Sequence, residues 1–192
     1  MSLVEDHFKL ARPPFLQSAE AAALLVHTSL KDAVERVRFA IDRDGIALLT
    51  AESGCGKSTA LACLVRGLDP IAYHVVYSAF ATLAPFSQIS SLVVKLGLRA
   101  RRFKGETAAE LVAHLRGLSR RAVVILDEAH DLPDASLEDL RLLTADSIDK
   151  PSPFALVLAG QPLLRERLTE PQHYALAQRI TVRARLRPLT ES

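Results

Sequence analysis

At 192 residues the chain is long enough to bury one substantial core and too short for two full-sized domains. Hydrophobic residues make up 49% and charged residues 24%, which excludes a disordered or fibrous chain and fits an ordinary globular one. A net charge of +2 argues neither for nor against a nucleic-acid partner, so any basic surface must be local.

The opening "MSLVEDHFKL" carries acids and lacks a long apolar core, so it does not read as a signal peptide. Residues 1–29, with "RPPF" at 12–15, read as an extended entry segment, and 30–192 as one core domain. A helix over 30–42 follows Ser29, with Asp32 three residues on as in a capping box. The run "IALLT" (46–50) is short and apolar, the pattern of a buried strand. Helix 58–68 repeats Leu61, Leu64, Val65 and Leu68; strand 73–77 and helices 87–98 and 107–118 come next. Strand 122–126, helix 136–148, a turn at 149–154 and strand 154–158 continue the alternation. The last run, 180–186, alternates cleanly and reads as an edge strand. Strands separated by helices predict an α/β fold, a parallel sheet with helices on both faces. Its apolar runs are far shorter than the roughly 20 residues that span a bilayer. Cys55 and Cys63 lie in one segment and read as two free thiols in a reducing, cytoplasmic setting.

Directly after the first strand stands "TAESGCGKSTA" (50–60). The phosphate-loop pattern is G-x-x-x-x-G-K-[ST], and its first glycine is here Ala51. Phosphates are held by backbone N–H groups at the loop's far end and at the following helix N-terminus, not at that position. An alanine there is harmless if its φ is negative. The predicted contact set is Ser53, Gly54, Cys55, Gly56, Lys57, Ser58 and Thr59, with Lys57 on the outer phosphates and Ser58 on Mg²⁺. The competing reading is a glycine-rich strand-to-helix turn.

The second motif, "AVVILDEAHDL" (122–132), ends a strand with Asp127 and Glu128, where α/β sheets bind ligands. Next to a phosphate loop each acid has a task. Asp127 would hold Mg²⁺ with Ser58, and Glu128 would orient the water attacking the γ-phosphate of ATP. The letters "DEAH" (127–130) suggest a helicase, but such helicases need two motor domains; His130 then reads as the start of the next turn.

With "PPF", "AESGCGKST", "VVILDEAHDLP", "LVLAGQPLLRERL" and "LAQRITVRARLRPLT", the chain resembles AAA+ ATPases of the branch containing general secretion pathway protein A and transposon helper ATPases. The resemblance runs from about Pro13 to Leu189. It implies a P-loop sheet of about five strands, ATP and Mg²⁺ as ligands, and work as a ring or filament. It further implies that Gln161 resembles the sensor of the γ-phosphate and Arg179 an arginine finger. The ring pair Phe8 and Phe15 reads as packing near the adenine rather than binding a partner. Relatives continue into a small helical lid, which is missing after Ser192.

Two basic groups remain. Arg183, Arg185 and Arg187 share one face of the last strand and read as edge charges that keep it from pairing. Arg99, Arg101, Arg102 and Lys104 surround Phe103 and read either as a solvated loop or as a contact to a DNA backbone. Two uses of an ATPase therefore stay open: a helper that binds duplex DNA and recruits a transposase, or a secretion ATPase acting on protein partners. A slow nucleotide-dependent switch is the third.

Overall fold

The computed structural model describes residue 7 and residues 28–79, 84–145 and 149–188. Apart from residues 7, 28 and 29, the predicted entry segment, including Phe8 and Phe15, lies outside the described residues. Helix α1 spans Thr28–Ile41, so Ser29 sits inside the first turn rather than before it. Then come β1 (Ile46–Thr50), α2 (Lys57–Gly67), β2 (Tyr73–Ser78), α3 (Pro85–Lys95) and α4 (Lys104–Gly117). They are followed by β3 (Arg121–Leu126), a 3-10 turn (Ala129–Asp131), α5 (Asp134–Thr144), β4 (Ala155–Gly160) and α6 (Pro162–Arg167). A 3-10 turn (Pro171–His173), α7 (Tyr174–Gln178) and β5 (Ile180–Arg185) close the order.

The five strands form one sheet in the order β2-β3-β4-β1-β5, and every pairing is parallel. Strands β1 and β4 are buried along their whole length, which is why they read as unbroken apolar runs rather than alternating ones. Successive residues of the central strands face opposite layers. Val124, Leu126, Leu156 and Leu158 pack with Leu92 of α3, Leu111 of α4 and Leu140 of α5. Val123, Ile125, Val157 and Leu49 pack on the other face with Val37 of α1 and Leu61 of α2.

Strand β5 lies at the edge beside β1, with Ile180, Ala184 and Leu186 buried and Arg183, Arg185 and Arg187 exposed, as the alternation predicted. Several boundaries differ from the sequence reading. Helix α3 starts at Pro85, because proline at the first turn forfeits no helical hydrogen bond. Helix α4 starts three residues earlier than predicted, which moves Lys104 from a loop into a helix. Helix α5 starts at Asp134, and residues 146–148 of its predicted end lie outside the described residues. The short helices α6 and α7 were not predicted; a helix of 6 or 5 residues leaves too few turns for a period to show.

Candidate functional site

Strand order assembles the site. Strands β3, β4 and β1 are neighbours and parallel, so the segments leaving their carboxyl ends emerge along one edge of the sheet. After β1 comes the loop 51–56, after β3 come Asp127 and Glu128, and after β4 comes Gln161. The loop encloses a cavity of about 320 Å³, lined in part by Gly54, Lys57, Ser58 and Thr59. Glu128 and Gln161 close its far wall.

The loop's conformation follows from its glycines. Gly54 and Gly56 adopt φ of 78° and 86°, the left-handed region where a Cβ is strained. Ala51 is not among the described residues of positive φ, and its methyl is buried among α1 and α2 side chains. Its N–H donates to the Gly160 carbonyl at 3.1 Å, so position 51 continues the β1–β4 ladder. The alanine is accommodated. The first N–H groups of α2, at Lys57, Ser58 and Thr59, have no acceptor within their own helix and face the helix's positive end.

Lys57 forms an ion pair with Asp127 and a second with Glu128, the latter at 2.6 Å. Burial pulls the Lys57 ammonium downward, but the hydrogen bonds and charges of the two acids outweigh it, and its pKa lies above the usual lysine value. Asp127 is buried, 5% exposed, and takes a hydrogen bond from the Tyr77 hydroxyl at 3.0 Å. Burial first, and then the Asp127 charge, push the Tyr77 phenol up to about 12. It is a donor across the whole working range.

Glu128 has φ of 53°, uncommon for a residue with a side chain, and so directs its carboxylate away from the line of β3. His130 follows it closely: its Nδ1 is 3.4 Å from Glu128 Oε2 and 3.5 Å from the Gln161 nitrogen. Gly160 makes this approach possible, since a Cβ there would lie 3.1 Å from the His130 nitrogen. Arg167 donates to the His130 carbonyl at 2.7 Å and pairs with Asp134, whose carboxylate also meets His173 Nε2 at 3.0 Å. Hydrogen bonds from Arg167 and then His173 hold the Asp134 carboxyl below the usual range.

The remaining predicted residues lie elsewhere. Arg179 is absent from the cavity lining and donates to the Thr144 carbonyl at the end of α5, at 2.9 Å. In the basic group, Arg101 pairs with Glu110 at 2.6 Å and Lys104 with Asp139 at 2.6 Å. Arg102 sits over the Phe103 ring at 5.6 Å, and Arg99 is exposed. Sequence reasoning missed Tyr77 and the closeness of His130 to Glu128. The first depends on β2 lying beside β3, in the register Tyr77↔Ile125, which no local pattern gives.

A family model described as "AAA domain" matches residues 40–168. The chain is 33% identical over 190 residues to general secretion pathway protein A of Aeromonas hydrophila, a match covering 95% of this chain and 34% of that protein. It thus spans about a third of that relative's length. Among solved structures it is similar to Cdc6p from Pyrobaculum aerophilum, with a TM-score of 0.70 at 19% identity over 92% of this chain and 49% of the other. It is also similar to the Aeropyrum pernix ORC1 protein solved in complex with DNA, with a TM-score of 0.63 at 21% identity over 86% of this chain and 47% of the other. At such identities these two structures establish the P-loop fold alone.

Proposed function

The chain belongs to this AAA-domain family, and from that premise we propose that it is a Mg²⁺-dependent ATPase whose phosphates sit in the cavity between the 51–56 loop and Gln161. The single observation carrying the reading is that Lys57, which lines that cavity with Glu128, pairs with both Glu128 and Asp127 from sequence positions about 70 residues away. Residues 30–192 act in this reading as one nucleotide-binding core.

The roles follow from the chemistry of each group. Backbone N–H groups from Gly54 to Thr59 take up phosphate oxygens at the α2 N-terminus. Lys57 exchanges its two carboxylates for the outer phosphates. Among the described residues no group of three or more His, Cys, Asp or Glu could hold a metal. Mg²⁺ asks for less: one or two carboxylates, substrate phosphates and its own waters, which the Ser58 hydroxyl and Asp127 complement. Bound there, it would neutralise charge developing on the phosphates. Glu128, released from Lys57, orients the attacking water, and Gln161 faces the γ-phosphate from the end of β4. Arg179, held at the end of α5 outside its own cavity, serves the site of a neighbouring subunit in a ring or filament.

Glu128→Gln tests the core of this reading. ATP binding should persist while turnover falls by about a hundred-fold or more, the usual worth of such a residue. Parental turnover in this variant would remove Glu128 from the role.

Two uses of hydrolysis are each supported by one observation. Likeness to general secretion pathway protein A supports a cytoplasmic ATPase acting on protein partners of a secretion apparatus. The exposed Arg99 and Arg102 support an ATP-dependent contact to duplex DNA, as a transposition helper recruiting a transposase would need. The pairing of Arg101 and Lys104 with acids favours the first. Among the described residues no helix is long and apolar enough to cross a membrane.

A further inference from the structure

On the sheet face opposite α2, a groove of about 560 Å³ runs between α4 and α5. Its size is that of a ligand site, yet it is open along one side. Gly105, Ala109 and Ala113 stand four apart along α4, all exposed and all on one stripe of the helix. Opposite them on α5, Leu142 is 51% exposed, although its side chain is purely apolar. Such a stripe leaves no ridge of its own and lets a second helix approach to about 8–10 Å.

Small residues alone would carry nothing, but Asp139 adds an independent observation. It lines the same groove, is only 8% exposed, and among the described residues its Oδ2 has no hydrogen-bond partner. Its Oδ1 is held by Lys104, an ammonium on a side chain that is 46% exposed. A buried carboxylate with one oxygen left unsatisfied is costly, since such groups are nearly always paired. An ammonium is a point charge and meets one oxygen here. A guanidinium is a planar fork that meets two.

We propose that this groove is a docking site for an amphipathic helix of a partner protein, whose apolar face covers the Gly105–Ala109–Ala113 stripe and whose arginine reaches both oxygens of Asp139. Charge complementarity selects this occupant. The deep group in the groove is an acid with one oxygen unpaired among the described residues, and apart from Lys104, which holds its other oxygen, the walls around it are apolar. Lys104, anchored by a flexible and half-exposed stem, gives way to the incoming group. The site is separate from the nucleotide cavity, because α2 and the α4–α5 pair pack against opposite faces of the sheet.

The test is fluorescence anisotropy with the chain and three synthetic labelled helices of one length. They carry leucines on one face and arginine, leucine or glutamate at the centre of that face. The arginine peptide should bind at least about ten-fold more tightly than the leucine peptide, the effect of one charged hydrogen-bonded pair, and the glutamate peptide least. Asp139→Asn should bring the arginine peptide to the level of the leucine peptide. Lys104→Ala should tighten it by removing the competing cation. Ala109→Leu, at an exposed position where folding is not at stake, should abolish binding by filling the groove. Equal binding of the arginine and leucine peptides, or parental binding by Ala109→Leu, would overturn the proposal. So would binding of none of the peptides, and self-association that Ala109→Leu dissolves would then assign the groove to a second copy of this chain.

Discussion

Two clusters of charge in this chain read alike as sequence and differ in the fold. At the ends of β1 and β3, Lys57 and Asp127 pair with side chains 10% and 6% exposed. Around residues 99–104, Arg101 and Lys104 pair with Glu110 and Asp139 while themselves 59% and 46% exposed. A buried charge must be matched or its desolvation is left uncompensated, so the first cluster is tightly committed to its geometry. The Arg101–Glu110 pair, the more open of the two, is worth about 0–1 kcal/mol and can be exchanged for another partner at little cost, whereas Lys104 holds an Asp139 that is itself only 10% exposed. Burial, more than charge count, separates the two clusters.

The deepest cut is at Lys57. Lys57→Ala removes the ammonium that links both acids and, in the proposed role, the charged contact to the outer phosphates. Nucleotide affinity should fall by about a hundred-fold or more, given about 1.5–3 kcal/mol for each charged hydrogen bond. Titration of a fluorescent ATP analogue checks this. Affinity within a few-fold of the parent would break the contrast, because the buried cluster would then matter no more than the surface one.

Arg179 belongs to neither cluster, being exposed yet hydrogen-bonded to the end of α5. If it completes a neighbour's site, Arg179→Ala should bind ATP normally and lose turnover by about a thousand-fold, the scale of an arginine finger. The parent's specific activity should also rise with protein concentration, and the longest natural version of the chain is the one to assay. Concentration-independent turnover would place Arg179 with the merely structural arginines.

Much of the deep cluster was legible because its parts are local. The spacing of Gly54, Gly56, Lys57 and Ser58 is read within one stretch of five residues, and the two acids after "VVIL" within another of six. Strand identities were legible for the same reason: β1, β3 and β4 are short apolar runs bounded by turns. Contacts that depend on the register of neighbouring strands escaped. Tyr77 meets Asp127 only because β2 pairs with β3, and His130 meets Gln161 only because β4 lies next to them. The acids that pair with Arg101 and Lys104 escaped too. Glu110 is nine residues away on a helix that begins earlier than its apolar pattern, and Asp139 comes from α5.

Tyr77 gives a smaller and sharper test of the buried cluster. Its folded pKa is raised to about 12, from 10, chiefly by burial and then by the Asp127 charge. A raised folded value means the contribution is fully present below pH 10 and is lost as pH climbs through about 12. Tyr77→Phe should cost about 1 kcal/mol at neutral pH, the usual net worth of one such bond. Measured by urea unfolding, the difference between parent and variant should stay flat up to pH 10 and shrink above it. A difference independent of pH would mean the phenol's proton is not what Asp127 uses.

The surface cluster should show the smallest effect, and salt can measure it. DNA affinity falls with salt in proportion to the phosphates neutralised, with a log–log slope near −0.9 for each on duplex DNA. Four available cations would give a slope near −3.6, again by that proportionality. Two of the four already have carboxylate partners, Arg101 with Glu110 and Lys104 with Asp139. Among the described residues neither Arg99 nor Arg102 makes an ion pair. The slope per subunit should therefore be near −1.8, the value for two phosphates. The measurement is duplex-DNA anisotropy with a non-hydrolysable ATP analogue, with ADP and without nucleotide, over a range of salt. Arg99→Ala with Arg102→Ala should bring the slope to about zero and leave ATP affinity unchanged, while Arg101→Ala should barely move it. A steep slope near −3.6 would show that DNA strips Arg101 and Lys104 from their acids, the buried Asp139 included. No binding at low salt, by a protein that assembles with ATP, would leave protein partners as the use of its ATPase cycle.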